Sequence, residues 1–367
     1  MDWTLFAIKP SSYISSLCYS IFRLEPYSSC SYNCIYCYAR WYRWSRPRIR
    51  RGELVRLWRK LCRSLYRLDY PPPFYRLSTL SEPLQENIET KYVLSLELLR
   101  IAYKYEVPVV INTKSTLVTR SPWIDMVTAM ADKGLVLVQI SITVVDETLS
   151  SRLEPRAPCP WRRLEAVEFL REHSVPVVTR IQPIIPGIED KQLESIEKAF
   201  NHGSMGVILE SIRETRDGLV RLARAISYRG DYLRDYCWTP YQFTLLENRE
   251  PLYNPCTVWK KEFYMKAYSI ARAYNKPITL CKEGLYGLFE KSYRGDCCLT
   301  QFIKYPHIAR YTLYELLYGV DKSYNIVFID PEMYRLYPYM IRRPLVLHHS
   351  KLLRITRDQG KLQKLIH

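Results

Sequence analysis

The sequence predicts an α/β fold: a partial, TIM-like (β/α)6 barrel followed by a smaller module rich in cysteine and tyrosine. Three observations carry that reading. Short β-branched runs alternate with longer amphipathic segments from about residue 23 to 226, each amphipathic segment is long enough for a parallel crossover, and the rhythm stops after Gly230. Six strands are expected, at 22–26, 74–78, 107–113, 135–145, 175–183 and 206–211. The first closes on Pro26 and the second follows Pro71, Pro72 and Pro73; the other four are dominated by valine and isoleucine. Helices between them are expected at 52–68, 90–105, 122–132, 161–172, 190–200 and 214–227, where apolar residues recur at three- and four-residue spacing. Residues 1–22 then form an N-terminal extension, 23–230 the barrel and 231–367 the C-terminal module, with a helix at 258–274 and a short strand at 277–281.

Composition narrows the function classes. A chain of 367 residues with 47% hydrophobic content can fill a large core. The longest apolar stretch, 134–145, is too short to span a bilayer and is interrupted by Gln139, Ser141 and Thr143, so no membrane partner is expected. No secretory signal is expected either, since Lys9 and Pro10 come before any apolar run; a cytoplasmic location follows. Eleven cysteines, an odd count in a long intracellular chain, favour metal or redox chemistry over a disulfide framework. The formal charge of +17 attracts polyanions, and 31 Tyr and 23 Pro against 12 Gly suit a stiff chain from a thermophile.

Cys30, Cys34 and Cys37 read C-x3-C-x2-C directly after the first strand, on a loop that a barrel presents at its C-terminal face, where active sites sit. Three closely spaced thiolates can hold three irons of a [4Fe-4S] cluster and leave the fourth open to a small molecule. A structural zinc site wants four closed ligands, and no fourth Cys or His stands nearby in sequence.

This spacing, with Tyr36 before the last cysteine, resembles the radical S-adenosylmethionine (SAM) superfamily. Further phrases resemble its spore photoproduct lyase and DNA repair photolyase branch: CIYCYAR from Cys34, SEPLQ from Ser81, NTKS from Asn112, QISIT from Gln139, LEPRAP from Leu153, RLEA from Arg163 and PIIPGIED from Pro183. The resemblance covers about residues 25–190. It implies a cluster whose open iron binds SAM, which the reduced cluster cleaves to a 5′-deoxyadenosyl radical that abstracts hydrogen from a substrate, with electrons from a donor such as ferredoxin or flavodoxin. It also implies that Lys114 grips the SAM carboxylate and that Ser141 bonds the same methionyl end. Ser81 and Glu82 occupy the place of a Ser-Asp pair near the SAM amino group, against the plain reading of Glu82 as a helix-leading acid. Tyr36 and Tyr38 flank Cys37 beside the cluster and adenine, or simply pack. Arg180 and Gln182, at alternate positions of the fifth strand, turn one polar face to the barrel interior. Glu154, Arg156 and Arg163 read as a structural charged set. One departure weakens transfer of the full activity: where that lyase has a hydrogen-donating cysteine two residues before its Ser-Asp pair, this chain has Thr79.

From Arg40 to Arg67 there are eleven basic residues and one acid, Glu53. Arg43, Arg46, Arg48, Arg50, Arg51, Arg56, Arg59, Lys60 and Arg63 are the candidate nucleic-acid contacts, the last four on one face of the expected helix, with Trp41, Tyr42, Trp44 and Trp58 as planes for stacking unpaired bases. The plain alternative is a solvated face, but the acids that normally neutralise one are absent. A DNA or RNA target would be single-stranded or flipped out. Cys237, Cys256, Cys281, Cys297 and Cys298 form a candidate second iron-sulfur or zinc site, against free thiols in a packed module; Cys18, Cys62 and Cys159 read as small apolar residues. The leading expectation is a radical SAM enzyme that repairs or modifies nucleic acid. The alternatives are a radical SAM enzyme acting on a peptide or protein with an auxiliary cluster, and a zinc-stabilised nucleic-acid-binding protein without catalysis.

Overall fold

The computed structural model describes residues 15–20, 22–41, 51–241, 251–288, 296–319, 325–328 and 330–366. Seven parallel strands form the central sheet, in the order β1 (Phe22–Leu24), β2 (Tyr75–Leu77), β3 (Val109–Thr113), β4 (Val136–Ser141), β5 (Val177–Ile184), β6 (Val207–Ser211) and β9 (Ile278–Leu280). The six expected strands are all present. Between β6 and β9 a short antiparallel pair, β7 (Trp238–Pro240) and β8 (Tyr253–Pro255), branches off, and β10 (His307–Ala309) pairs with β11 (Ile326–Phe328). The architecture is the partial (β/α) barrel predicted from the sequence, extended by one strand. That seventh strand lies beyond residue 230; the βα rhythm ends there, but hydrogen bonding to β6 continues the sheet.

The crossovers are α1 (Arg51–Tyr66), α2 (Glu86–Tyr92) with α3 (Leu94–Lys104), α4 (Trp123–Asp132), α5 (Glu147–Leu153) with α6 (Pro160–Glu172), α7 (Glu189–Asn201) and α8 (Arg216–Ala225). They are followed by α9 (Tyr232–Asp235), α10 (Thr257–Ala273), α11 (Leu313–Tyr318), α12 (Tyr339–Thr356) and α13 (Gln359–Ile366). The helix expected at 90–105 is two helices broken at Val93, whose φ of 51° is left-handed. Glu89 makes the break workable: its buried carboxylate accepts from the Ser95 and Leu96 amides at 3.0 Å each and so caps α3, a role usually filled by the residue just before a helix.

Alternate residues of the strands have different fates. Val109, Ile111, Val136, Val138, Ile140, Val177, Val207 and Leu209 pack under the helices. On the other face, Phe74, Val110, Leu137, Val178 and Ile208 meet Cys297, Cys298, Leu299, Ile303 and Ala309, which plug the barrel from below. The plug is tied to the N-terminal ends of the strands by Tyr305 N–H to Gly134 O (3.0 Å) and Ile308 N–H to Pro72 O (3.0 Å). Gly134 is required there, at φ 70°, because a Cβ would lie 2.7 Å from Lys304 Cβ.

Helix α1 is amphipathic as expected: Leu54, Trp58, Leu61 and Leu65 are buried, while Arg51, Arg56, Arg59, Lys60, Arg63 and Arg67 are exposed. Trp58 is not a stacking plane. It is fully buried, donates to Leu98 O at 3.0 Å and sits edge-on to Tyr75. Arg51 is paired with Glu97 at 2.8 Å. Arg43, Arg46, Arg48 and Arg50, with Tyr42 and Trp44, lie outside the described residues.

Candidate active site

The loop after β1 carries the cysteine triad, and the SEPLQ segment after β2 holds it in place. The Gln85 side chain accepts from Ser31 N–H at 2.7 Å and donates to Ser29 O at 2.8 Å, clamping the chain on both sides of Cys30. Cys37 N–H bonds Cys34 O at 3.2 Å, and Ile35 N–H bonds Leu153 O at 3.0 Å, at the end of α5. All three cysteines line one cavity of about 290 Å³ at the C-terminal ends of the strands. Burial pushes the Cys34 thiol up to about 12, reinforced by the Glu154 carboxylate, and burial likewise raises Cys30. Three thiols facing one cavity are the donor set an iron-sulfur cluster takes, and the cluster's positive charge would reverse the burial effect and ionise them. The residues present therefore fit such a group.

Beside the triad stands a buried charge network. Glu154 pairs with Arg163 and, at 3.0 Å, with Lys114, and it accepts from the Tyr36 hydroxyl. Burial alone would raise Glu154, but Arg163 and Lys114 together hold it well below the usual carboxylate range. Arg163 also donates to Ser141 O at 2.9 Å and Pro158 O at 2.7 Å, locking β4 to α6. Glu82 accepts from Lys114 N–H (2.8 Å), Leu84 N–H (3.1 Å) and the Thr113 hydroxyl (2.5 Å), so it fixes the backbone that presents Lys114. Ser81 donates to Tyr27 O at 2.7 Å.

The opposite wall comes from β5, β6 and the turn after β9. Arg180 donates to Gln139 Oε1 at 2.9 Å and to Gln182, and Gln182 donates to Glu210. Asn112, with its amide oriented to satisfy its neighbours, donates to Gln139 Oε1 at 2.8 Å and accepts from Arg76 Nε at 3.2 Å. Barrel interiors are usually filled by branched apolar side chains, so this polar layer above the apolar plug marks a built site. Glu210 is further flanked by Arg213 and, at 3.7 Å, by Lys282. Burial opposes its ionisation, yet Lys282, Arg213 and Arg180 bring it down to about 2.

A carboxyl depressed in the folded state stabilises the fold above its unfolded pKa of about 4.3, and that stability is lost as pH falls toward 2. Urea unfolding at pH 3 is therefore expected to give about 2 kcal/mol less stability from Glu210 than at pH 6, and Glu210→Gln should shrink that pH dependence. An unchanged pH dependence in the variant would contradict the assigned environment.

The cavity brings together the triad with Tyr36, Tyr38, Ser81 and Glu82, and equally Lys114, Ser141, Arg180 and Gln182. Sequence reasoning missed Arg76, Glu210, Arg213, Tyr241 and Lys282, which also line it. Alternation within β2 and β6 could have pointed to Arg76 and Glu210; nothing local pointed to Lys282 or Tyr241. Glu154, set aside as structural, lies against the triad. The five later cysteines fall into two sets. Cys237 and Cys256 meet beside β7 and β8, while Cys281, Cys297 and Cys298 meet in the plug. Among the described residues no group of three or more His, Cys, Asp or Glu side chains, the triad included, is drawn together as around a metal ion; the five later cysteines lie in two places and not in one. Cys18 and Cys62 are buried, but Cys159 is exposed.

Residues 24–200 match the family model described as Radical SAM superfamily. Among solved structures, spore photoproduct lyase with bound AdoMet and dinucleoside spore photoproduct superimposes with a TM-score of 0.53 at 14% identity, over 72% of this chain and 78% of that one. The complex of that lyase with dinucleoside spore photoproduct gives 0.52 at 15% identity, over 76% and 79%. At such identity the likeness establishes a shared fold. An uncharacterized protein, ORF301, of Acidianus two-tailed virus is 35% identical over 95 residues, which is 26% of this chain and 30% of that relative's length. No described helix is long and apolar enough to cross a membrane.

Proposed function

This chain is a radical SAM protein, carrying that domain over residues 24–200, and from that premise we propose that it is an enzyme acting on a nucleic-acid substrate, in repair or modification. Cys30, Cys34 and Cys37 would hold a [4Fe-4S] cluster, and that cluster, when bound and reduced by a ferredoxin or flavodoxin, supplies the electron that cleaves SAM to a 5′-deoxyadenosyl radical. Lys114 and Ser141, at the ends of β3 and β4, would orient the methionyl end of SAM. Glu82 acts on SAM through Lys114, because its two oxygens are already engaged by the Thr113, Lys114 and Leu84 donors.

The observation that carries the choice of substrate is the charge of the cavity. Arg76, Lys114, Arg180, Arg213 and Lys282 line it against Glu82 and Glu210, with Glu154 paired to Lys114 and Glu283 to Arg213 behind the wall. A surplus of buried cations is costly unless an anion arrives to meet it, and a polynucleotide supplies one at every residue. The exposed cationic face of α1 adds a surface for the same backbone. A base that reacts inside a cavity of about 290 Å³ must be unpaired or flipped out of a duplex. Thr79 is a poor substitute for a hydrogen-donating thiol: its hydroxyl donates to Glu25 at 3.0 Å and accepts from Arg23 at 3.0 Å. A reaction other than the reversal of a thymine photoproduct fits that residue better.

The test is anaerobic incubation of reconstituted protein with SAM, reductant and total cellular nucleic acid, followed by mass spectrometry of nucleosides and 5′-deoxyadenosine. A changed nucleoside that depends on SAM supports the reading. Binding to single-stranded oligonucleotides should weaken steeply with salt; flat salt dependence alongside SAM-dependent modification of a peptide would replace the reading with the peptide one.

A further inference from the structure

The charge surplus of the cavity is concentrated at one place. On the wall formed by β6 and the turn after β9, Glu210 is shared by Arg213, Lys282 and, through Gln182, Arg180. Glu283, the neighbouring carboxylate, is shared by Lys260 at 3.1 Å, the Ser211 amide at 2.8 Å and, at 3.4 Å, Arg213. Two donors on this wall are only partly engaged: Arg213 Nε, and Lys282 Nζ, which is ion-paired with Glu210 at 3.7 Å. Arg213 Nε is buried and has no hydrogen-bond partner, although the rest of its guanidinium is anchored to Glu210 and, at 3.3 Å, to Lys282 O. Lys282 Nζ stops 3.7 Å from Glu210, beyond hydrogen-bonding distance, and its stem leaves the β9 turn from a left-handed backbone with φ 61°. Strained backbone of this kind is kept where the surrounding structure holds a side chain at a required place. The Tyr241 ring covers one face of the Arg213 guanidinium at 4.4 Å from its centroid.

We propose that Arg213 Nε and Lys282 Nζ form a phosphate subsite that holds one phosphodiester group of the substrate opposite the cysteine triad. The inference rests on the nucleic-acid reading and deepens it, by assigning a recognition point to the sugar-phosphate backbone in place of the base. The guanidinium edge and the ammonium supply two charge-assisted donors to one tetrahedral oxyanion, and Glu210 keeps both cations oriented without neutralising them. Anchoring the backbone at one fixed phosphate also sets which sugar or base stands nearest the cluster. Specificity for position then comes from geometry, with no need to read the base edge.

The test compares two ligands in the reconstituted full-length protein: a short single-stranded oligonucleotide, and the same oligonucleotide with a neutral methylphosphonate at the central linkage. Wild type should bind the phosphodiester form about 10- to 100-fold more tightly, the range expected for hydrogen bonds to a charged group. Lys282→Met, chosen because this side chain is partly exposed and least embedded in the fold, should bring the two ligands close together and lower the salt slope of binding by about 0.7, the value for one phosphate of a single strand. Arg213→Gln should do the same, and circular dichroism separates a misfolded variant from a true loss of discrimination. Three outcomes overturn the inference: equal loss of both ligands in Lys282→Met, an unchanged ratio with weakened SAM binding, which would give the subsite to the SAM carboxylate, or an unchanged ratio and salt slope, which would remove Lys282 from phosphate binding. If wild type binds neither oligonucleotide at low salt, the nucleic-acid reading itself fails.

Discussion

Replacing Cys34 by alanine is expected to abolish iron and acid-labile sulfide binding and to reduce 5′-deoxyadenosine formation to background, a loss on the order of 10⁶-fold or more, since the uncatalysed cleavage has no other route. Alanine at Cys30 or Cys37 should do the same, because three thiolates are the fewest that hold the cubane while leaving one iron open. Cys34 is the most informative of the three. It is more deeply set than Cys30, and its thiol is pushed up to about 12 by burial and by Glu154, so that a bound cation of high charge would be needed to hold it ionised. Cys62→Ala is the matched control: that thiol is buried under α1 in the apolar core, so the variant should lose some stability and no iron. Iron and sulfide content, the visible absorbance of anaerobically reconstituted protein, and 5′-deoxyadenosine yield are the readouts. Full cluster occupancy in Cys34→Ala would remove the basis of the functional reading.

Arg163→Ala is expected to lower stability by about 3–5 kcal/mol, measured by urea unfolding at neutral pH, because it strands the Glu154 carboxylate in the interior. Both side chains of that pair are 1% exposed, so water cannot compensate for the lost partner. Lys114 stays at 3.0 Å but is itself partly solvated, and a single ammonium does not replace the guanidinium bonds to Ser141 O and Pro158 O. The double variant Glu154→Gln, Arg163→Met should recover much of the loss, since neutral partners of similar volume are often tolerated where a lone charge is not. If the single variant costs less than about 1 kcal/mol, the network beside the triad is not the organising element assigned here.

The sequence was legible wherever local chemistry decides structure. The C-x3-C-x2-C spacing pointed to the family, and the alternation of short runs with amphipathic segments to the first six strands, because ligand spacing and β-periodicity are encoded within a few residues. The basic face of α1 was equally visible in the three- and four-residue spacing of Arg56, Arg59, Lys60 and Arg63. Its aromatic neighbour was misread: Trp58 is interleaved with cations along the chain, yet it points into the core, since one residue of shift on a helix turns a side chain by 100°.

What lies beyond local reach was fixed by the tertiary structure. The second carboxylate cluster, Glu210 with Arg213 and Lys282, joins residues about 70 positions apart, and only the pairing of β9 with β6 sets them side by side. The later cysteines looked like one ligand set in the sequence, but the fold sends Cys237 and Cys256 to the β7–β8 pair and Cys281, Cys297 and Cys298 to the plug. Glu154 read as part of a structural charged set with Arg163, but only the packing of α5 and α6 shows it buried between Arg163 and Lys114. The sequence alone therefore determined the family the chain belongs to and the class of barrel it forms, because spacing and periodicity act within single elements. The tertiary structure alone decided which charges share the cavity with that chemistry, because burial and pairing of charge depend on contacts between elements far apart in the chain.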